Sequence, residues 1–180
     1  MSERKTEITG APPWHVPVAV DDVAETGAHF DLVADAAIRA AVARITGLRD
    51  LPRLEASFDV SRRGTGGLHV AGVVSATVGQ TCVVTLEPLT GEVRETVDLL
   101  FLPQQQPLSG EEGETQPRDT KWDAPEPLIG GVVDLGAVAT EFLMLGLDPY
   151  PRKPGAVFEP PQDLKPGGGP FAALAKLVKN

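Results

Sequence analysis

The chain has 180 residues, with 16 Lys and Arg against 25 Asp and Glu, for a formal net charge of -9. That length suits one domain, and the acidic balance excludes a broadly basic wrapper of nucleic acid. The lone Cys82 excludes an internal disulfide and a zinc site built from several cysteines. No apolar run approaches the roughly 20 residues a membrane helix needs. The polar start from Met1 to Glu7 has no apolar core behind it, so we expect no signal peptide and a cytoplasmic location.

Residues 1–17 read as a flexible lead ending in Pro12-Pro13-Trp14-His15-Val16-Pro17. A single domain is expected over 18–148. Short strands are predicted at Val18-Ala19-Val20 and from Gly27 to Leu32. A helix follows, with Asp35 as N-cap, Ile38, Val42 and Ile45 at helical spacing, and Gly47 as its stop. Leu54, Ala56, Phe58 and Val60 alternate with Glu55, Ser57 and Asp59, the period of a strand with one wet face. Arg62-Arg63-Gly64-Thr65-Gly66-Gly67 is a turn by composition.

The next strand places Leu68, Val70, Val74, Ala76 and Val78 on one face. Gly72 within it signals a bulge or a close backbone approach. A bend is expected at Gly79-Gln80, after which Cys82, Val84 and Leu86 continue a strand that Pro88 ends. Thr90-Gly91 reads as a hairpin turn, and Val93, Val97, Leu99 and Phe101 form the next strand. Consecutive strands on short connections predict an antiparallel meander.

From 103 to 134 seven acids face only Arg118 and Lys121, and 103–125 reads as an acidic flexible loop. Gly130-Gly131, between Pro127-Leu128-Ile129 and Val132-Val133, fits a small hairpin. Asp134 caps a second helix whose stripe is Leu135, Val138, Phe142 and Leu145, widened by Leu143 and Leu147, and stopped by Pro149. Residues 149–180 form a Pro- and Gly-rich arm ending in a short helix, Pro170 to Lys179, with Phe171, Leu174 and Val178 on one stripe. So short a helix is marginal alone, so its stripe must dock on its own domain or on a partner.

The expected architecture is α+β. An antiparallel sheet of about five or six strands, open or curled toward a barrel, carries two packed helices.

Chemistry is sparse. Cys82 reads as a small buried hydrophobe, since a catalytic cysteine needs a base and an electropositive, partly exposed setting. His15, His29 and His69 lack metal-ligand spacing. Gly64-Thr65-Gly66-Gly67 lacks the Lys-Ser or Lys-Thr of a phosphate loop and opens no helix. No catalytic, cofactor-binding or metal residue is assigned, and no enzyme is expected. Residues 148–180 carry five bases against three acids, which marks the C-terminal arm as the region able to approach RNA. Phe58 and Phe101, the aromatics in the predicted strands from Leu54 to Phe101, both fall on buried faces, which argues against base stacking there.

Three stretches carry a family resemblance. They are Gln80-Thr81-Cys82-Val83-Val84-Thr85-Leu86-Glu87-Pro88; Val133-Asp134-Leu135-Gly136 with Glu141-Phe142-Leu143 and Leu145-Gly146-Leu147-Asp148-Pro149-Tyr150-Pro151-Arg152; and Pro170-Phe171-Ala172-Ala173-Leu174-Ala175-Lys176-Leu177. In order and spacing they resemble the YceD family, named for large-ribosomal-RNA-subunit accumulation. The Ala-, Gly- and Pro-rich composition resembles its alphaproteobacterial branch. Many relatives have a Cys-x-x-Cys where this chain has Cys82 and Thr85.

The resemblance implies a non-enzymatic role in synthesis, processing or stability of large-subunit ribosomal RNA. An acidic protein repels phosphate, so the expected partner is a ribosomal or ribosome-assembly protein, through which ribosomal RNA can be contacted indirectly, and no membrane. The expected contact residues are Tyr150, Arg152, Phe171, Leu174, Leu177 and Val178. The alternatives are a direct RNA-binding domain and an enzyme of unrecognised type.

Overall fold

The computed structural model describes residues 12–103 and 125–158. Residues 1–11, most of the acidic 103–125 stretch, and the terminal helix with Phe171, Leu174, Leu177 and Val178 lie outside the described residues.

The described chain is α+β. Seven strands and two helices run in the order β1 (Pro17–Ala19), β2 (Ala28–Val33), α1 (Ala36–Thr46), β3 (Asp50–Arg63), β4 (Gly67–Thr81), β5 (Pro88–Pro103), β6 (Glu126–Leu128), β7 (Val132–Asp134) and α2 (Leu135–Leu145). The main sheet has the order β2-β3-β4-β5-β6, and β1 pairs separately with β7. β2 to β5 form the antiparallel meander; β6 joins β5 in parallel. The sheet is open and does not close into a barrel.

The alternating residues of β3 and β4 form the floor of the core. Leu54, Ala56, Phe58, Val60, Leu68, Val70, Val74, Ala76 and Val78 are buried, joined by Val93 and Val97 of β5. Gly72 marks a close approach and not a bulge: it pairs in register with Phe58, and a side chain there would strike the Ser57 carbonyl and the Phe58 ring. The slip in register lies instead between Asp50 and Arg53, around Pro52, which has no N–H to give a ladder.

Both helices begin and α1 ends as the sequence predicts. The Asp35 carboxylate accepts the Ile38 N–H at 2.8 Å, and Gly47 closes α1 in the left-handed region at φ 70°. Asp134 accepts from the N–H groups of Gly136 and Ala137. The apolar stripes are shorter than helical spacing suggests. Val42 and Ala43 are the buried residues of α1, while Ile45 is 51% exposed; Leu143 is buried in α2, while Leu145 is 71% exposed. Each helix runs past the core at its final residues, Ile45 in α1 and Leu145 in α2.

Two turns are corrected. Thr90 and Gly91 sit inside β5, opposite Gly79 and Val78, so Gly79-Gln80 does not bend the chain away from β4. Gly130 and Gly131 do not close a hairpin. Both have positive φ in a turn that carries the chain from the main sheet at β6 to the small sheet at β7.

The N-terminal segment crosses α2. Val16 N–H donates to the Asp134 carboxylate at 2.8 Å, and Leu135 N–H donates to the Val16 carbonyl at 2.9 Å. Trp14 is buried, and a Cβ on Gly136 would sit 2.5 Å from the Trp14 carbonyl oxygen. Glycine at that position lets the strap lie flat on the helix.

Candidate functional site at the cysteine turn

Cys82 was expected mid-strand with Val84 and Leu86. The structure puts it in a tight turn instead. β4 ends at Thr81 and β5 starts at Pro88, so Pro88 opens a strand where it was expected to end one. Cys82 N–H donates to the Glu87 carbonyl at 2.9 Å, and Leu86 N–H donates to the Cys82 carbonyl at 3.0 Å. Leu86 carries φ 60°, unusual for a branched side chain, and its side chain is thrown out to solvent.

The Sγ of Cys82 is the hub of this turn. It accepts the Thr85 N–H at 3.4 Å and, from far along the chain, the Lys153 N–H at 3.3 Å. The side chain is buried, as expected. The Lys153 and Thr85 donors outweigh desolvation, and they hold the thiol down to about 6 from its usual 9.0.

The segment that follows α2 is fastened over this turn at several points. Gln80 donates its Nε2 to the Asp148 carbonyl at 2.9 Å. Val83 N–H donates to the Pro151 carbonyl at 2.9 Å. Lys153 Nζ reaches Glu87 at 2.8 Å, which lowers the Glu87 carboxyl and raises the Lys153 ammonium. Asp148 accepts the Tyr150 N–H at 2.8 Å, turning the chain so that Tyr150 stands out, 71% exposed. Arg152 is exposed beside it, while Pro151 is buried.

Two of the expected contact residues, Tyr150 and Arg152, are thus presented together on a fastened segment. Sequence reasoning missed Lys153, Glu87 and the acceptor role of Cys82. Their partners lie tens of residues apart, and spacing carries no trace of them. His69 is not near Cys82: it pairs with Asp98 at 2.6 Å at the far end of β4.

The solvent face of the sheet is polar. His29 lies between Asp59 at 2.7 Å and Asp31 at 3.2 Å, and the hydrogen bond to Asp59 leads in raising its pKa. Arg53 is held by Glu92 at 2.7 Å and by Glu55 at 3.2 Å. Phe58 is fully buried and Phe101 packs against the core. Among the described residues no group of three or more His, Cys, Asp or Glu is placed to hold a metal ion. No described helix is long and apolar enough to cross a membrane.

The described chain is therefore an α+β protein with a structural fastening around a cysteine turn. A family model, described as large ribosomal RNA subunit accumulation protein YceD, matches residues 70–177. The match covers more than half of the chain, and the protein belongs to that family; it spans β4, β5, α2 and the cysteine turn with its fastened segment. No curated protein and no solved structure matches the chain.

Proposed function

We propose that this protein is a non-enzymatic, cytoplasmic factor that supports synthesis, processing or stability of large-subunit ribosomal RNA through a protein partner. The family name supports the RNA side of this reading. The observation that carries the partner side is the fastened segment: an exposed Tyr150 on a backbone fixed by Cys82, Val83 and Gln80. An ordered exposed aromatic loses little entropy on docking, which is why tyrosine and arginine recur as anchors at interfaces. The arm beyond, with Phe171, Leu174, Leu177 and Val178, would add an apolar helix to the same contact.

The test is affinity purification from growing cells combined with fractionation of ribosomal particles. Co-migration with large-subunit precursors, lost with Tyr150→Ala or on removal of residues 165–180, is the expected result. Migration with neither precursor nor ribosomal protein, with normal precursor levels after depletion, overturns the reading.

A further inference from the structure

α1 and the residues after it form an open groove of about 510 Å³ that belongs to no part of the site described above. That is within the usual range for ligand sites. Its floor includes the exposed side chains of Ala36 and Ala40, and three arginines, Arg39, Arg44 and Arg49, stand around it. No acid occurs between Asp35 and Asp50, and the Asp35 carboxylate is committed to the Ile38 N–H. Asp50 is the one acid in the lining; its carboxylate lies across Gly79, in space that any side chain at 79 would fill.

The arginines project from fixed backbone. Arg39 and Arg44 lie on α1, and Arg39 is braced by a 2.6 Å bond from Nη1 to the Ala34 carbonyl. Arg49 N–H donates to the Gly79 carbonyl at 2.8 Å. None of the three forms an ion pair with a described residue, in contrast to Arg53, which is held by two carboxylates. A cation near the end of α1 complements the helix dipole, but one suffices, and Arg39 stands too far back to serve.

We propose that this groove binds the phosphodiester backbone of a single RNA strand. The inference rests on the reading that the chain works on large-subunit RNA. Guanidinium forks match phosphate oxygens in pairs. The lining contains no aromatic ring for base stacking, so binding is to the backbone and indifferent to sequence. Besides the alanines the lining includes Pro52 and the buried Leu48 and Leu51, and the three arginines give it its positive charge. The net charge of -9 does not forbid this, because at physiological salt a charge is felt over only about 8 Å. The lining residues, 36–52, precede the family-matched residues 70–177.

The test uses the full chain and a short labelled uridine oligonucleotide, titrated across a salt series. The double variant Arg44→Gln, Arg49→Gln should weaken binding about tenfold at low salt. It should also flatten the plot of log affinity against log salt by about 1.4, at roughly 0.7 per phosphate contact on a single strand. Arg63→Gln, at the end of β3, should change neither. Arg44→Lys with Arg49→Lys keeps the charge and guards against a folding defect; it should keep the slope and lose affinity. Unchanged binding in the glutamine variant, or no binding by the native chain, overturns the proposal. So does equal binding of poly-glutamate, which would mark an acidic-protein site. Co-migration with large-subunit precursors, read separately, survives that failure if only this inference is wrong.

Discussion

The Lys153 backbone N–H donates to the Sγ of Cys82, and the same residue's ammonium reaches Glu87 on the other side of the turn. One residue thus closes the segment after α2 onto the β4–β5 connection twice. Cys82→Ala should leave the Thr85 and Lys153 amides without their acceptor. Hydrogen exchange at those two amides should speed up about tenfold, as expected when a modest hydrogen bond is lost. Exchange in β3 should stay as it was. Unaltered exchange at Lys153 would mean the sulfur holds nothing.

The same sulfur makes the fold more stable in mild alkali than in mild acid. An acid whose folded pKa lies below its unfolded value adds stability that is full above the ordinary thiol pKa near 9.0 and is lost as pH falls through about 6. The native chain should therefore gain thermal stability relative to Cys82→Ser as pH is raised from about 6 toward 9. Glu87 titrates below this window and Lys153 above it. Parallel melting curves for the two proteins across the window would refute the assignment.

His29 provides an opposite sign on the sheet's wet face. Its raised pKa comes first from the hydrogen bond to Asp59. Its contribution to stability is full below 6.5 and is lost as pH rises through the folded value. Asp59→Asn should bring the His29 titration, followed by NMR of the ring protons, back toward 6.5. A curve that does not move would assign the shift to Asp31 instead.

Gly72→Ala should destabilise the protein by about 1–3 kcal/mol, the usual cost of overpacking a filled interior. The new methyl has the Ser57 carbonyl and the Phe58 ring in its way. Denaturant melts read this directly. An unaltered midpoint would mean β3 and β4 part more easily than their continuous register suggests.

Tyr150→Ala should behave in the opposite manner. The ring is exposed, and its backbone N–H still reaches Asp148. Stability should move by less than about 0.5 kcal/mol, while partner capture falls.

Much of the frame was legible beforehand. Asp35 and Gly47 bracket α1 because capping is local, and the alternation in β3 names its buried face residue by residue. The cysteine turn was not legible. Cys82-Val83-Val84 looks like strand, and no glycine marks the reversal; Leu86 takes the positive φ, and donors from Gln80 and Lys153 hold the segments together. Ile45 and Leu145 keep perfect helical spacing yet face water, because periodicity cannot show where a core stops. The arginine groove escaped for a related reason. Arg39, Arg44 and Arg49 are five residues apart, form no run, and were averaged away in an acidic total.

The pairing of Pro17 with Asp134 has a bearing on how the protein is made. The β2–β5 meander joins neighbours in the chain and can assemble from a partial polypeptide, since short loops close cheaply. The N-terminal strap has no such freedom. Trp14, Val16 and Val18 wait with their partners missing until β7 and the first turn of α2 have emerged from the ribosome. Released fragments ending before residue 132 should leave the strap open to protease, and released fragments extending past 146 should protect it. The strap is thus made before the meander and locked after it, and its closing reports that translation has passed α2.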